Sequence, residues 1–403
     1  MRGFAQRSTV DEALAWLRPQ WQRLEEEVVP VADAHDRVLA RAIESGLDVP
    51  QFRRAMMDGF AVVASDTQGA TAYNRLTLNV IGEAWPGRPF AGHVESGSAV
   101  KIMTGAPLPK GANAVLPVEE TETSGDQVAL LGEVPAEKHV GRVGEDIDAG
   151  SMVLAAGRCL RPQDLGVLSS IAVAQVPVVR RPRVRIVVTG NELLPAGSRP
   201  GPYEIVDANG PMLTALIERD GGEAVYPGIV PDDREAITAA LTDDCDVVLV
   251  SGGSSVGQED FVPLLLAEQG ELAIHGIAMR PSSPAGMGRL GPRLVFLLPG
   301  NPVSCLCAYD FFAGPTIRAL GGRSTDWPYL RKRLKLARKL VSVVGRVDYA
   351  RVAINEDDEV EPLAISGASI LSSTTRADGF VIVPGDSEGS GPGSEVEVFL
   401  YDR

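Results

Sequence analysis

Residues 247 to 261 read VVLVSGGSSVGQEDF, and the fold turns on how this stretch is read. Four apolar residues, a glycine-serine turn and a segment carrying two adjacent acids make the pattern of a buried strand passing through a tight turn into a helix. Inside it, Gly253-Ser254-Ser255-Val256-Gly257 fits G-x-S-x-G, the turn that presents a nucleophilic serine at the edge of a hydrolase sheet. The same letters suit a nest of backbone N–H groups that holds an anion, with Glu259 or Asp260 placed to hold a metal.

Working outward, further apolar runs at RIVVTG, AVYPGIV, LAIHGIAM and LVFLLPG alternate with the helical stretches GPMLTALIERDG, DREAITAALTDD and DFVPLLLAEQG. Such alternation predicts a parallel-sheet α/β domain with helices on both faces, whose functional groups gather at the carboxyl ends of the strands. Those ends carry Thr189-Gly190-Asn191-Glu192, Ser251-Gly252-Gly253 and Pro299-Gly300-Asn301, three polar turns expected to converge on one crevice.

On the N-terminal side, Thr9 to Glu12 forms a capping box ahead of Val10, Leu14 and Leu17 at helical spacing, up to Pro19. VADAHDRVLARAI reads as a second helix. From about residue 51 to 140, short apolar runs broken by glycine and proline read as a small β unit, and GEDIDAGSMVLAAGRCLRPQDLGVLSSIA returns to a helical pattern. On the C-terminal side, GGRSTDWP reads as a linker, followed by an all-β module. The basic run RKRLKLARKL, with Leu334, Leu336 and Leu340, reads there as a half-buried strand with a charged face. The expected division is 1–50 with 141–180 as a discontinuous helical domain, 51–140 as an inserted small β domain, 181–326 as the α/β domain and 327–403 as a C-terminal β domain.

The chain has 403 residues, 44% hydrophobic and 23% charged, with 53 acids against 38 Lys and Arg and a net charge of -15. That balance argues against nucleic acid, whose affinity comes largely from cations meeting phosphates. No apolar run approaches the roughly 18 residues of a membrane helix, and acids at Asp11 and Glu12 precede any apolar signal region, so a cytoplasmic protein without a membrane partner is expected. An anion would have to be held locally, by backbone turns, a few cations or a bridging divalent ion. Cys305 and Cys307, two residues apart on a helix, point to different faces and read as buried packing residues rather than ligands.

The hydrolase reading of Ser255 requires an acid and then a histidine downstream, and only His275 follows. The acids that remain sit beside glycines or at helix starts: Asp58 in MMDGFA, Asp146 in GEDI, Glu192 in TGNEL and Asp207 in EIVDANG, the last of which also suits a helix cap.

Taken in order, MDGFAV, VKIMTGAPLPKGANAVLPVEE, GEDI, VVTGNELLPAG, IVDANGPML, SGGSSVGQEDF, LLPGNPVS and ADGFVIVP resemble the molybdopterin molybdenumtransferase family, including the C-terminal portion of gephyrin, over nearly the whole chain. The resemblance implies an enzyme of molybdenum cofactor biosynthesis that takes adenylylated molybdopterin and molybdate and releases AMP with Mg2+ assisting. It also implies a homodimer with an α/β molybdopterin-binding domain and a C-terminal β-barrel. Carried over by motif, the catalytic residues are Asp58, Thr104, Asp146, Glu192 and Asp260. Glu192, Asp260 and Asp232 (or its neighbour Asp233) are the candidates to hold the metal. Gly252, Gly253 and Ser254 would line the phosphate nest, beside Pro299, Gly300, Asn301 and Pro302. Where many members read Lys-Pro-Gly-Lys-Pro, this chain has Arg280-Pro281-Ser282-Ser283-Pro284, keeping Arg280 as one cation and replacing the second by Ser283. Arg346, Arg351 and Ser369 match the family only loosely. The alternative is a noncatalytic pterin-binding or scaffold protein on the same fold.

Overall fold

A computed structural model describes residues 7–252, 261–364 and 367–401, which divide into two compact units. One unit comprises Met1–Val28, Asp36–Ala40 and Pro177–Arg403; the other comprises Val29–His35 and Arg41–Val176. In the first, helix α1 (Val10–Leu17) begins with the expected capping box: Glu12 N–H donates to Thr9 Oγ1 at 3.1 Å, and Thr9 N–H donates to Glu12 Oε2 at 2.7 Å.

The centre of this unit is a seven-stranded sheet. Its strands are β1 (Arg183–Thr189), β2 (Glu223–Val225), β3 (Ile229–Val230), β4 (Val247–Ser251), β5 (Glu271–His275), β6 (Gly286–Leu290) and β7 (Arg293–Leu298). The order is β2-β1-β4-β7-β6-β5, with β3 also pairing β1. Helices α2 (Asn209–Arg219), α3 (Arg234–Leu241), α4 (Phe261–Gln269) and α5 (Pro302–Ala308) complete it. Successive strand residues face opposite sides, so each strand feeds two cores. Val184, Ile186 and Val188 of β1 join Leu213 and Ile217 of α2 and the apolar residues of α1 on one side. Val187, with Val248 and Val250 of β4, meets Ile237 and Leu241 of α3 and Leu265 and Leu266 of α4 on the other. Cys305 and Cys307 are fully buried in α5, as packing residues.

The sheet is mixed rather than wholly parallel. β1, β2, β3, β4 and β7 run parallel, but β6 is antiparallel to both β7 and β5. Only Gly291 and Pro292 join β6 to β7. A two-residue link closes a hairpin, whereas a parallel crossover needs a dozen residues or more. The LAIHGIAM run is likewise divided: β5 ends at His275, and Met279–Arg280 joins a different sheet beside Val347–Ile354.

That second sheet has the order Met279–Arg280, Val347–Ile354, Gly379–Val383, Glu395–Leu400, Leu330–Lys335, with Val360–Ala364 also pairing Val347–Ile354. The basic run is divided rather than one strand: Leu330–Lys335 forms the edge of this sheet, whereas Leu340–Val341 pairs with Gly389–Ser390 in a separate two-stranded sheet, and Leu334, Leu336 and Leu340 are buried as expected. GGRSTDWP is more than a spacer. Trp327 packs edge-on against Phe311 and Phe399, at 5.0 and 4.8 Å between ring centres, and so ties the two sheets into one core.

In the other unit, a six-stranded sheet follows the order Ala114–Pro117, Gly59–Val62, Ser98–Ile102, Leu76–Ala84, Gln127–Leu130, Thr121–Ser124. Gly59 is required by close approach, since a Cβ there would lie 2.0 Å from the Leu116 carbonyl oxygen. The helical expectation for VADAHDRVLARAI fails. Only Val31–Asp33 forms a single 3-10 turn, and Ile43–Glu44 is extended. Asp36 adopts φ 61°, a left-handed conformation that cannot continue a helix, and Ala40 N–H donates instead to Pro177 O at 3.0 Å. Pro162–Ser170 is helical as expected, with proline in its first turn.

Candidate functional site

The three turns at the carboxyl ends of β1, β4 and β7 line one cleft of about 510 Å³. Thr189 and Glu192 come from the first, Ser251 and Gly252 from the second, and Gly300, Asn301 and Pro302 from the third. Gly252 has φ 97°, and a Cβ on it would sit 2.4 Å from the Thr189 carbonyl oxygen. A Cβ on Gly300 would meet Gly252 Cα at 3.7 Å, so two bare backbone turns face each other across the floor. Pro299 does not line the cleft; Asn301, two residues on, does, and it accepts a 2.8 Å hydrogen bond from Ser369 of the C-terminal segment.

Glu192 is exposed, and its carboxylate folds back over Gly190, where an added Cβ would lie 2.8 Å from Oε2. The turn that carries it is braced by Asp232, which accepts from Thr189 Oγ1 and from Asn191 N–H, the latter at 3.1 Å. Asp233 does a different job, accepting from Ala236 N–H at 2.9 Å as the cap of α3. The geometry thus separates two adjacent acids that the sequence left equivalent. Asp207 is buried and takes hydrogen bonds from the Asn209 and Gly210 N–H groups and from Tyr226 Oη at 2.6 Å. The cap reading of Asp207 therefore describes its hydrogen bonds. Burial, then the hydrogen bond to Asp207, pushes the Tyr226 phenol well above its ordinary range. Beneath the cleft, burial pushes the Cys305 thiol up to about 12, keeping it a neutral packing group.

Arg280 and Ser283 lie elsewhere. They line a second cavity of about 580 Å³ together with Arg7 and Arg346. Arg280 donates to Asp348, a fully buried carboxylate that also accepts from Arg346 Nε at 3.1 Å and Ser342 Oγ at 2.7 Å. The Ser283 hydroxyl is buried and has no hydrogen-bond partner among the described residues.

In the other unit, Asp58 and Thr104 meet directly: Asp58 Oδ1 accepts from Thr104 N–H at 2.7 Å and from Thr104 Oγ1 at 2.6 Å. These bonds, the hydroxyl's first, lower the Asp58 pKa below the usual carboxylate value. Asp146 lies on an exposed turn held by its own N–H to Val49 O at 3.0 Å, next to Glu145, which pairs with Arg54. Gly253, Ser254, Ser255 and Asp260 lie outside the described residues.

Sequence reasoning missed Asn209. Its Nδ2 donates at 2.8 Å both to Ser251 Oγ and to the Gly300 carbonyl oxygen, linking the β4 and β7 turns. A signal was present. Residues 209, 213 and 217 recur at intervals of four, so a polar residue falls on the buried face of α2 beside Leu213 and Ile217.

Three family descriptions match successive parts of the chain: the MoeA N-terminal region (domain I and II) over residues 8–172, a probable molybdopterin binding domain over 185–319, and the MoeA C-terminal region (domain IV) over 333–401. The chain is 33% identical to a putative molybdopterin biosynthesis protein of Methanocaldococcus jannaschii over 92% of its own length and 91% of that protein. It is 32% identical to the molybdopterin molybdenumtransferase of Haemophilus influenzae over 94% of both. The crystal structure of the molybdopterin biosynthesis protein MoeA from Pyrococcus horikoshii superposes with a TM-score of 0.83 at 33% identity, covering 99% of this chain and all of that one. With three successive family descriptions matched and its sequence about a third identical to these proteins over more than nine-tenths of its length, the chain belongs to the molybdopterin molybdenumtransferase (MoeA) family.

Proposed function

We propose that this protein is a molybdopterin molybdenumtransferase that inserts molybdenum from molybdate into adenylylated molybdopterin and releases AMP. The observation that carries this reading is the cleft in which Glu192 and the bare turns at Gly252 and Gly300 converge. Backbone N–H groups at such turns can hold phosphate oxygens without spending a cation, which suits an acidic chain. Asp58 and Thr104, joined by two hydrogen bonds, and Asp146 complete the proposed catalytic set.

Magnesium fits the donor chemistry in a limited way. Among the described residues no group of three His, Cys, Asp or Glu side chains could cage a metal. Mg2+ is commonly held by one or two carboxylates together with substrate phosphates and water. Glu192 would be such a ligand and Asp232 the brace of its turn, with Asp260 added from the sequence. When bound, the ion would neutralise charge on the adenylyl linkage. The protein's own groups orient the phosphates and hold Glu192 in place.

Arg280 and Ser283 we assign to the oxyanion in the second cavity. Arginine binds such anions by charge-assisted hydrogen bonds. We read the chain as the four domains delimited above, the last a β-barrel, acting as a cytoplasmic homodimer. Among the described residues no helix is long and apolar enough to cross a membrane.

The test is incubation with adenylylated molybdopterin, molybdate and Mg2+, reading AMP. Absence of molybdate-dependent AMP release would leave the pterin-binding scaffold as the better reading. Ser255→Ala and Asp260→Asn, compared in that assay, decide the opening question of the sequence. The metal reading expects most activity to survive the first and about a 100-fold loss in the second; the opposite result restores the serine. Sedimentation at micromolar concentration tests the dimer, which a fully active monomer would refute.

A further inference from the structure

The cleft holds a residue whose placement is costly for folding. Asn209 is 6% exposed and occupies a position on α2 whose neighbours at the same spacing, Leu213 and Ile217, are apolar. Both N–H bonds of its side chain are used across the cleft floor, to Ser251 Oγ and Gly300 O. The carbonyl of Gly300 can only accept, so the NH2 end of the amide must face it. The other end, Oδ1, is buried without a hydrogen-bond partner among the described residues. A buried acceptor left without a partner forfeits the hydrogen bond that water gives it in the unfolded chain, which disfavours folding. Packing alone would favour an apolar side chain there.

We propose that Asn209 is a positioning residue for phosphate: its amide cross-links the turns after β4 and β7 and so sets the spacing of the two glycine backbones, Gly252 and Gly300, that receive the phosphate oxygens. The inference rests on the assignment of this cleft to the adenylylated substrate. It explains why a polar group is kept on a core face. A break in either bond frees one turn relative to the other, and bare glycine backbone has no side chain to restore the spacing.

The probe is AMP, titrated calorimetrically into the full-length protein, with thermal unfolding measured in parallel. Asn209→Leu places an apolar side chain on the apolar face; it should unfold no earlier than the wild type yet bind AMP at least 10-fold more weakly. Asn209→Asp keeps the shape. Its ionised form sets a carboxylate against the Gly300 carbonyl, while its protonated form donates O–H to Gly300 O and can accept from Ser251 Oγ. Its AMP affinity, normalised to the wild type at each pH, should therefore recover toward the wild-type value as the pH falls, which a purely structural role would not produce. If both variants bind AMP as the wild type does, the proposal is overturned. It is also overturned if Asn209→Leu loses stability and affinity together while Asn209→Asp shows no recovery with pH. A wild-type protein that does not bind AMP instead refutes the phosphate assignment of the cleft, and the inference with it.

Discussion

Two cavities of similar size, about 510 and 580 Å³, lie in the same unit and present opposite chemistry. The strand-end cleft is lined by Glu192, Asp207, Asn209 and glycine backbone. The other is ringed by Arg7, Arg280 and Arg346, two of which share the buried carboxylate of Asp348. The contrast shows how a chain with a net charge of -15 can hold anions: by oriented backbone in one place and by a local excess of guanidinium in another. Asp348 gives up part of that excess to fix two flexible side chains, leaving three cations around one anion.

The comparison breaks if the two cavities do the same work. Glu192→Gln, which keeps the size and removes the charge, should reduce AMP release by about 100-fold or more, as loss of a metal-orienting contact does. Molybdate binding measured by equilibrium dialysis should not change. Equal losses in both would mean that one site serves both ligands.

Arg280→Ala should act in the reverse sense, weakening molybdate binding by roughly 1.5–3 kcal/mol, one charge-assisted hydrogen bond. AMP affinity should stay at the wild-type value in calorimetry, and a loss confined to AMP would overturn the assignment of the two cavities.

Within the cleft, the two glycines should differ. Gly252→Ala forces a side chain into φ 97° and against the Thr189 carbonyl, and should cost about 1–3 kcal/mol in chemical denaturation. Gly300→Ala meets ordinary contact distance at 3.7 Å and should stay within about 0.5 kcal/mol. Equal costs would show that the floor is not shaped as described.

The smallest effect concerns a buried polar cluster in the same unit. Asp310 is fully buried, accepts from Tyr329 Oη at 3.0 Å and faces Arg219 at 3.4 Å, with Asp220, Tyr309 and Arg318 in the same cluster. Burial raises its pKa to about 6, against the pull of Arg219. An acid with a raised folded pKa binds its proton more tightly in the native state than in the unfolded chain. Its stabilising contribution is complete below pH about 4 and is lost as the pH rises through about 6. Melting temperature should therefore carry a downward component over that window, which Asp310→Asn should remove; an identical profile in the variant would place the titration elsewhere.

Local patterns made much of this legible. The capping box at Thr9 and Glu12, strand β4 with helix α4 following it, and the buried leucines of the basic run formed as read, because each depends on neighbours within a few residues. Periodicity misled at VADAHDRVLARAI, where a left-handed Asp36 and pairing with a segment some 140 residues away outweighed helical spacing. It also misled at LAIHGIAM, where one apolar run is shared by two sheets.

By itself, then, the sequence determined that three glycine-bearing turns end the apolar runs of an α/β sheet, since alternating apolar runs and helical stretches leave few other ways to bury their faces. Its ordered motifs also determined the family. Tertiary structure alone decided that Asp232 braces the Glu192 turn while Asp233 caps a helix, that Arg280 stands beside Arg7 and Arg346 rather than in the cleft, and that Asn209 joins two turns. Each of these depends on hydrogen bonds and cavity walls made between segments 40 to more than 200 residues apart, or on which of two adjacent side chains faces inward, and residue spacing along a single segment carries no record of either.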